Sequence, residues 1–208
     1  MKLLISTITV IVALGLISSS AQAQLDKRFE VGGQFAFIRL TDVDIARPGF
    51  GGRIAGGQPG GGPRLAWNLT SSASLEAEAN FFREDELGGK KTQAFFGLKY
   101  GKRSAKVGIF GKVRPGFMQF NNIFVTNRDP DAPTNTEFKR KTYLAVDLGG
   151  VVEFYPTART LIRFDVSDVI VRYGERFTNL PFDINGTGVI PPDTRHNLQF
   201  SVGVGLRF

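Results

Sequence analysis

The last twelve residues of this 208-residue chain restrict its fold more than any other part. Leu198, Phe200, Val202, Val204, Leu206 and Phe208 occupy every second position, and Asn197, Gln199, Ser201, Gly203, Gly205 and Arg207 lie between them. Successive side chains of a strand point to opposite faces, so this segment reads as a strand with one wholly apolar face and one polar or glycine face.

Seven further segments carry the same two-residue period. In order, their apolar members are Phe29, Val31, Phe35 and Phe37; Leu65, Trp67 and Leu69; Leu75, Ala77, Ala79 and Phe81; Ala94, Phe96, Leu98 and Tyr100; Val107, Ile109, Val113 and Phe117; Leu144, Val146, Leu148, Val152 and Phe154; and Ile162, Phe164 and Val166. Eight strands result. The seventh slips phase at Asp168, after which Val169 and Val171 continue an apolar set. A β-bulge or an early strand end accounts equally for such a slip.

Between segments, three short connections (70–73, 101–105 and 155–159) alternate with four long ones (41–62, 83–91, 120–141 and 172–194). Outer-membrane barrels show this rhythm, with short periplasmic turns and longer external loops. Seven prolines fall in the long connections, including Pro59, while Pro63 and Pro115 are expected near outer strand ends, where a missing donor is tolerated.

Met1 to Ala23 reads as a cleaved secretory signal, with Lys2 before an apolar core and Ala21-Gln22-Ala23 as the small-x-small site. The core is shorter than the roughly 20 residues a membrane-crossing helix needs. Residues 24–208 then form one domain. Exported small domains often use disulfides, but the chain has no cysteine, so stability must come from elsewhere. The formal charge of +7 is spread along the chain, and export argues against nucleic acid as its partner.

Alternation alone does not say which face meets solvent, and a soluble periplasmic barrel binding an apolar ligand shares it. Three features favour lipid outside. The polar face is small and carries both signs: Glu30, Glu76, Glu78, Asp147, Glu153 and Asp165 against Arg64, Lys99, Lys112, Arg114, Arg163 and Arg207. Aromatic residues mark the segment ends, with an expected girdle of Phe29, Trp67, Tyr100, Tyr143, Phe154 and Tyr155. Segment lengths fit the roughly 9–11 residues of a tilted membrane strand. Hydrocarbon cannot satisfy a free sheet edge, so the sheet must close. The expected fold is all-β: a closed antiparallel eight-stranded up-and-down transmembrane β-barrel following the signal peptide.

On these residues the chain resembles the small outer-membrane β-barrel superfamily of the OmpA/OmpX type. The final strand, with Val204, Leu206 and the terminal Phe208, resembles the signal read by the barrel-assembly machinery. The resemblance implies an outer-membrane location and contact with lipids and lipopolysaccharide. Periplasmic chaperones and the assembly machinery are implied during biogenesis.

Local motifs weigh against chemistry. Lipid-modifying barrels use a His with a Ser and an acid. Here His196 is the only histidine, Leu198 stands where the deacylase pattern wants Ser, and Asp193 and Thr194 are the neighbours in sequence. A rim histidine is the expected role. The Gly49 to Gly62 stretch lacks a phosphate-loop ending and reads as a flexible external loop. Asp129, Asp131 and Glu137 lack cation-loop spacing. No cofactor and no metal are expected. Arg53, Arg128, Lys139, Arg140 and Lys141 are external cations able to meet anionic headgroups. The expected role is a non-enzymatic barrel anchoring external loops for envelope integrity, adhesion or binding. Its twelve interior charges form a packed plug, because eight strands leave a bore just wide enough for side chains. The alternatives are a narrow ion-conducting pore, a lipid A-modifying enzyme and the soluble ligand-binding barrel.

Overall fold

The computed structural model describes residues 27–45, 52–84, 89–125, 138–177 and 189–208. Met1 to Ala23, the expected signal, lies outside the described residues, as do Arg128, Asp129, Asp131 and Glu137. The side chains of Arg53 and Lys139 are likewise not described.

Eight long strands close into one barrel: β1 (Phe29–Ile45), β2 (Gly52–Asn68), β3 (Ala73–Phe82), β4 (Lys91–Arg103), β5 (Val107–Val125), β6 (Phe138–Phe154), β7 (Thr160–Tyr173) and β10 (Asp193–Arg207). Every neighbour is antiparallel to the next, and β1 closes the ring on β10 with Glu30 opposite Arg207 and Phe37 opposite Phe200. A two-stranded ribbon, β8 (Arg176–Phe177) with β9 (Val189–Ile190), stands outside the ring. The three tight turns at 69–72, 104–106 and 155–159 lie at one end with both chain termini of the barrel; the longer connections lie at the other.

The strands run well past the expected segments at the long-loop end. β1 and β2 extend into the stretch expected as loop 41–62, and β5 and β6 into 120–141. The glycine-rich residues 52–62 are therefore strand, not flexible loop. Their low strand propensity is overridden by pairing with β1, where Gly60 to Gly62 face Ala36 to Gln34. Close approach demands glycine here: a Cβ on Gly62 would sit 1.9 Å from the Ala79 carbonyl oxygen.

Two prolines also sit inside strands rather than near their ends. Pro63 lies within β2 and Pro115 near the middle of β5. Each coincides with a gap in a ladder. β2–β3 pairing steps from Gly61↔Phe81 to Arg64↔Glu78, and β4–β5 from Phe95↔Gly116 to Leu98↔Val113, without change of register. The absent N–H is thus accommodated by an absent rung. The small residues beside the gaps leave a hollow of about 490 Å³ on the outer wall, edged by Leu65, Phe96 and Phe117.

Neither a bulge nor an early end occurs at Asp168. β7 keeps one register with β10 through Tyr173 and with β6 through Arg172. Its odd-numbered residues from Leu161 to Tyr173 all face inward and are buried. What changes at Asp168 is not the geometry but the polarity of the two faces.

Candidate functional site

The interior is filled in three layers, read from the short-turn end. The first is ionic. Its centre is Glu76, fully buried, which accepts from Arg163 Nη1 at 2.5 Å and Nη2 at 3.1 Å. Lys99 Nζ at 3.1 Å, Arg64 Nη1 at 3.2 Å and Arg114 Nη1 at 3.4 Å surround the same carboxylate. Arg114 also donates to Glu78 at 2.7 Å and to Asp147 at 2.7 Å. Lys112 bridges Asp147 (2.8 Å) and Asp165 (2.7 Å), and Arg163 reaches Asp165 (2.8 Å). Glu153 takes Lys99 at 2.6 Å and Arg163 at 3.3 Å. Glu30 meets Arg64 at 3.5 Å, Arg207 at 3.4 Å and Arg103 at 3.5 Å.

Alternation of strands explains this convergence. Alternate residues of every strand point into a bore wide enough for little besides side chains, so charges from all eight strands share one space. All twelve expected interior charges are buried, and the network has a thirteenth member, Arg103. The alternation in the sequence places Arg103 in the short connection 101–105. It lies four residues beyond inward Lys99 on the same strand, and that parity was the missed signal. Desolvating these ions costs several kcal/mol each, and the cost is offset only where each finds several partners. Almost every carboxylate here has two or more cations in reach.

Tyr155 seals this end. It accepts from Arg103 Nε at 3.0 Å and donates to Glu153 at 2.7 Å. Arg207 stacks on its ring, with Cζ 4.5 Å from the centroid. Burial, then the neighbouring Glu153 carboxylate, push its phenol above the ordinary value, so the hydroxyl keeps the proton it donates. Tyr155 is thus an interior residue and not part of the outer girdle.

The second layer is made of amides. Gln34 donates to Asn80 at 3.0 Å, Asn80 to Glu78 at 2.6 Å, and Gln93 to Gln199 at 2.8 Å. The third layer is apolar: Ala36, Ile38, Leu40, Phe82, Phe95, Met118, Phe120, Tyr143, Ala145, Val169, Val171 and Tyr173 form one buried cluster. Phe120, Tyr143 and Tyr173 make its aromatic centre, with ring centroids 4.9–6.0 Å apart. Tyr143, expected in the girdle, is therefore a core residue.

Outside, the wall is apolar. Phe35, Phe81, Phe96, Ile109, Val204 and Phe208 are each more than half exposed. Of the expected girdle, Phe29, Trp67, Tyr100 and Phe154 do face outward. Phe29 stacks on Trp67 with centroids 6.3 Å apart. Phe154 meets Phe164 edge to face. Phenylalanines outside and ions inside are the reverse of a soluble barrel over this stretch.

At the long-loop end the reversal ends. Outward positions become polar: Arg39 and Thr41 on β1, Arg83 after β3, Gln119 on β5, Thr142 and Arg140 on β6, Asp168 and Arg172 on β7, and Thr194 and His196 on β10. His196 Nδ1 lies 2.6 Å from Asp168 Oδ2, with both side chains exposed. The sequence neighbour Asp193 instead pairs with Arg195 at 2.6 Å. Among the described residues the His196 ring pairs with the Asp168 carboxylate, the Thr41 hydroxyl donates to the His196 carbonyl oxygen, and no group of metal-ligating side chains is present.

No family model matches the sequence, and no curated protein matches it. Solved structures do match. The attachment invasion locus protein Ail of Yersinia pestis, solved with the heparin analogue sucrose octasulfate, has a TM-score of 0.52 at 10% identity, over 88% of this chain and 100% of that one. Neisserial surface protein A has a TM-score of 0.49 at 13% identity, over 86% and 97%. The N-terminal barrel domain of Pseudomonas aeruginosa OprF has 0.47 at 15%, over 88% and 98%. The fold is that of the small eight-stranded outer-membrane barrels.

Proposed function

We propose that the protein is an integral outer-membrane barrel, closed to ions and without enzymatic activity, that holds its long hairpins outside the cell for adhesion, binding or envelope integrity. One observation supports this above the others. A wall with exposed phenylalanines encloses a bore blocked twice, by the ion network around Glu76 and by the apolar cluster around Phe120. Paired ions under a water-excluding layer leave a permeating ion no sequence of hydrated sites. The charges therefore serve as a plug rather than a gate.

On this reading the short-turn end is periplasmic and the long hairpins are external. Met1 to Ala23 is removed on export, leaving 24–208 as the barrel domain. Val204, Leu206 and Phe208, all outward on the last strand, present the signal for the assembly machinery after handover from periplasmic chaperones. Lipids and lipopolysaccharide are the standing partners of the wall.

Planar-bilayer recording tests the closed barrel. Protein that migrates differently before and after boiling, and so is folded, is expected to leave the bilayer silent. Discrete conductance steps from such a sample would overturn the closed plug. A protein found in the soluble fraction would overturn the membrane reading itself.

A further inference from the structure

We propose that the short-turn rim, through Lys27, Arg28, Lys102, Lys106 and Arg159, is a docking surface for a carboxylate-bearing polymer beneath the membrane, with the chemistry that the stem peptides of peptidoglycan present. This rests on the outer-membrane reading with the short turns in the periplasm, and adds a partner on the side away from the long hairpins.

Charge at this rim has one sign. Arg28, Lys102, Lys106 and Arg159 are exposed and Lys27 is half-buried, and among the described residues none of the five side chains is in an ion pair. The turns at 69–72, 104–106 and 155–159 hold no acidic side chain. The main-chain carboxylate of Phe208 is outnumbered there. The plug does not neutralise the rim either, because its seven cations outnumber its six carboxylates. The long-loop end differs: Glu84, Asp168, Glu175 and Asp193 stand among its cations.

The five cations follow one arc. Tyr155 N–H donates to the Lys106 carbonyl at 2.9 Å, and Arg207 N–H to the Arg159 carbonyl at 2.8 Å. Phe29 and Phe208 exchange backbone bonds at 3.2 and 2.8 Å. These bonds tie the turn after β4, the turn after β6, the end of β10 and the start of β1 into a row. From β4 through β5, β6, β7 and β10 to β1 there are five strand spacings of about 4.8 Å each. Desolvation, then repulsion from Arg159 and Arg207, lower the Lys27 ammonium below its ordinary value, which places it in the field of its neighbours.

Direction favours an aqueous partner over lipid headgroups. Arg28 has the inward parity of Glu30 and is exposed, so it stands on the mouth of the bore and not on the wall. Lys106 and Arg159 lie in turns past the outward rings of Tyr100 and Phe154. A single exposed ion pair is weak. Cations spaced along a rim suit a polymer that offers carboxylates repeatedly, because each contact raises the effective concentration of the next.

Co-sedimentation of the refolded barrel, held in phosphatidylcholine nanodiscs, with purified peptidoglycan sacculi tests this. The wild type is expected to sediment at low salt and to be released as salt rises. Lys102→Gln, Lys106→Gln and Arg159→Gln together should lower the bound fraction at least about ten-fold. Arg39→Gln, Arg83→Gln and Arg172→Gln, which remove three exposed cations of the other end, should leave it unchanged. Sacculi whose carboxylates have been converted to neutral amides should lose the wild type to the same degree, a test that needs no variant to fold. Equal binding to amidated sacculi, or equal loss from both triple variants when heat-modifiable migration shows both folded, would overturn the surface. Loss of binding when phosphatidylglycerol replaces the nanodisc lipid would assign the cations to headgroups and overturn the polymer. The orientation is checked separately. Lys102→Cys, a single thiol in a chain without cysteine, should resist a maleimide too bulky to cross the outer membrane of intact cells. Its labelling there would take down the periplasmic placement on which the surface rests.

Discussion

The two ends of the bore solve the same problem with opposite chemistries. Toward the short turns, thirteen charged side chains fill it, and the wall outside is apolar. Toward the long loops, an apolar cluster fills it, with the buried Lys91 beside Phe82 and Phe120, and the wall outside is polar. The first arrangement is that of a membrane barrel and the second that of a soluble one, built on the same strands without a break in register along β7. The surroundings decide which face is apolar. Where strands cross hydrocarbon, greasy side chains go outward and polar groups must be enclosed with partners. Where the same strands rise into water, the hydrophobic effect reverses the assignment and builds a core. The ionic half depends on pairing and the apolar half on volume, so they should fail differently.

Removing the centre of the ionic half is expected to have the largest effect. Glu76→Ala strips Arg163, Arg64, Lys99 and Arg114 of a shared carboxylate in a desolvated space. Breaking a buried pair in this way costs about 3–5 kcal/mol. Urea unfolding in phospholipid vesicles, followed by the fluorescence of the single Trp67, should show a midpoint far below that of the wild type. A midpoint close to the wild type's would mean that water reaches the network and the plug is open. In the apolar half, Phe120→Ala removes a ring that is 1% exposed and touches Tyr143 and Tyr173. Phe-to-Ala changes in cores cost about 3 kcal/mol or more through lost burial and the cavity left behind. The comparison sharpens on rescue: a small apolar molecule such as benzene should recover part of the stability of Phe120→Ala and none of that of Glu76→Ala, because only the first leaves a dry cavity. Equal rescue of both would dissolve the distinction between the halves.

The same division explains what the sequence disclosed. Where outside is apolar and inside is polar, each strand spells out its orientation, as in Leu198 to Phe208, and the twelve interior charges are legible from parity alone. Above Asp168, Val169, Val171 and Tyr173 keep the inward parity of Arg163 and Asp165 but not their polarity, so constant geometry reads as a slip. Tyr143 and Tyr155 carry the same difficulty, since a tyrosine suits an interfacial belt as well as a core with a polar contact. Residues 52–62 hid for another reason: glycine and proline have no strand preference, and β1 imposes the strand on them through backbone pairing and close approach. The partnership of His196 with Asp168 joins residues 28 apart in sequence, and only the β7–β10 register brings them together.

The smallest expected effect lies at the seam between the halves, where Gln93 and Gln199 bond at 2.8 Å with each no more than 1% exposed. Gln93→Leu alone leaves the Gln199 amide in the bore without that donor, which costs about 1–3 kcal/mol. Replacing both by leucine removes the polar demand together with its partner, and paired apolar replacements of similar shape are nearly neutral. The double variant should therefore unfold within about 1 kcal/mol of the wild type and be more stable than Gln93→Leu. In effect it moves the boundary of the apolar half one layer toward the ions. If the double variant is instead the weaker of the two, the amides are joined to the network around Glu78 through Asn80 and Gln34, and the interior behaves as one graded medium rather than two regions that meet.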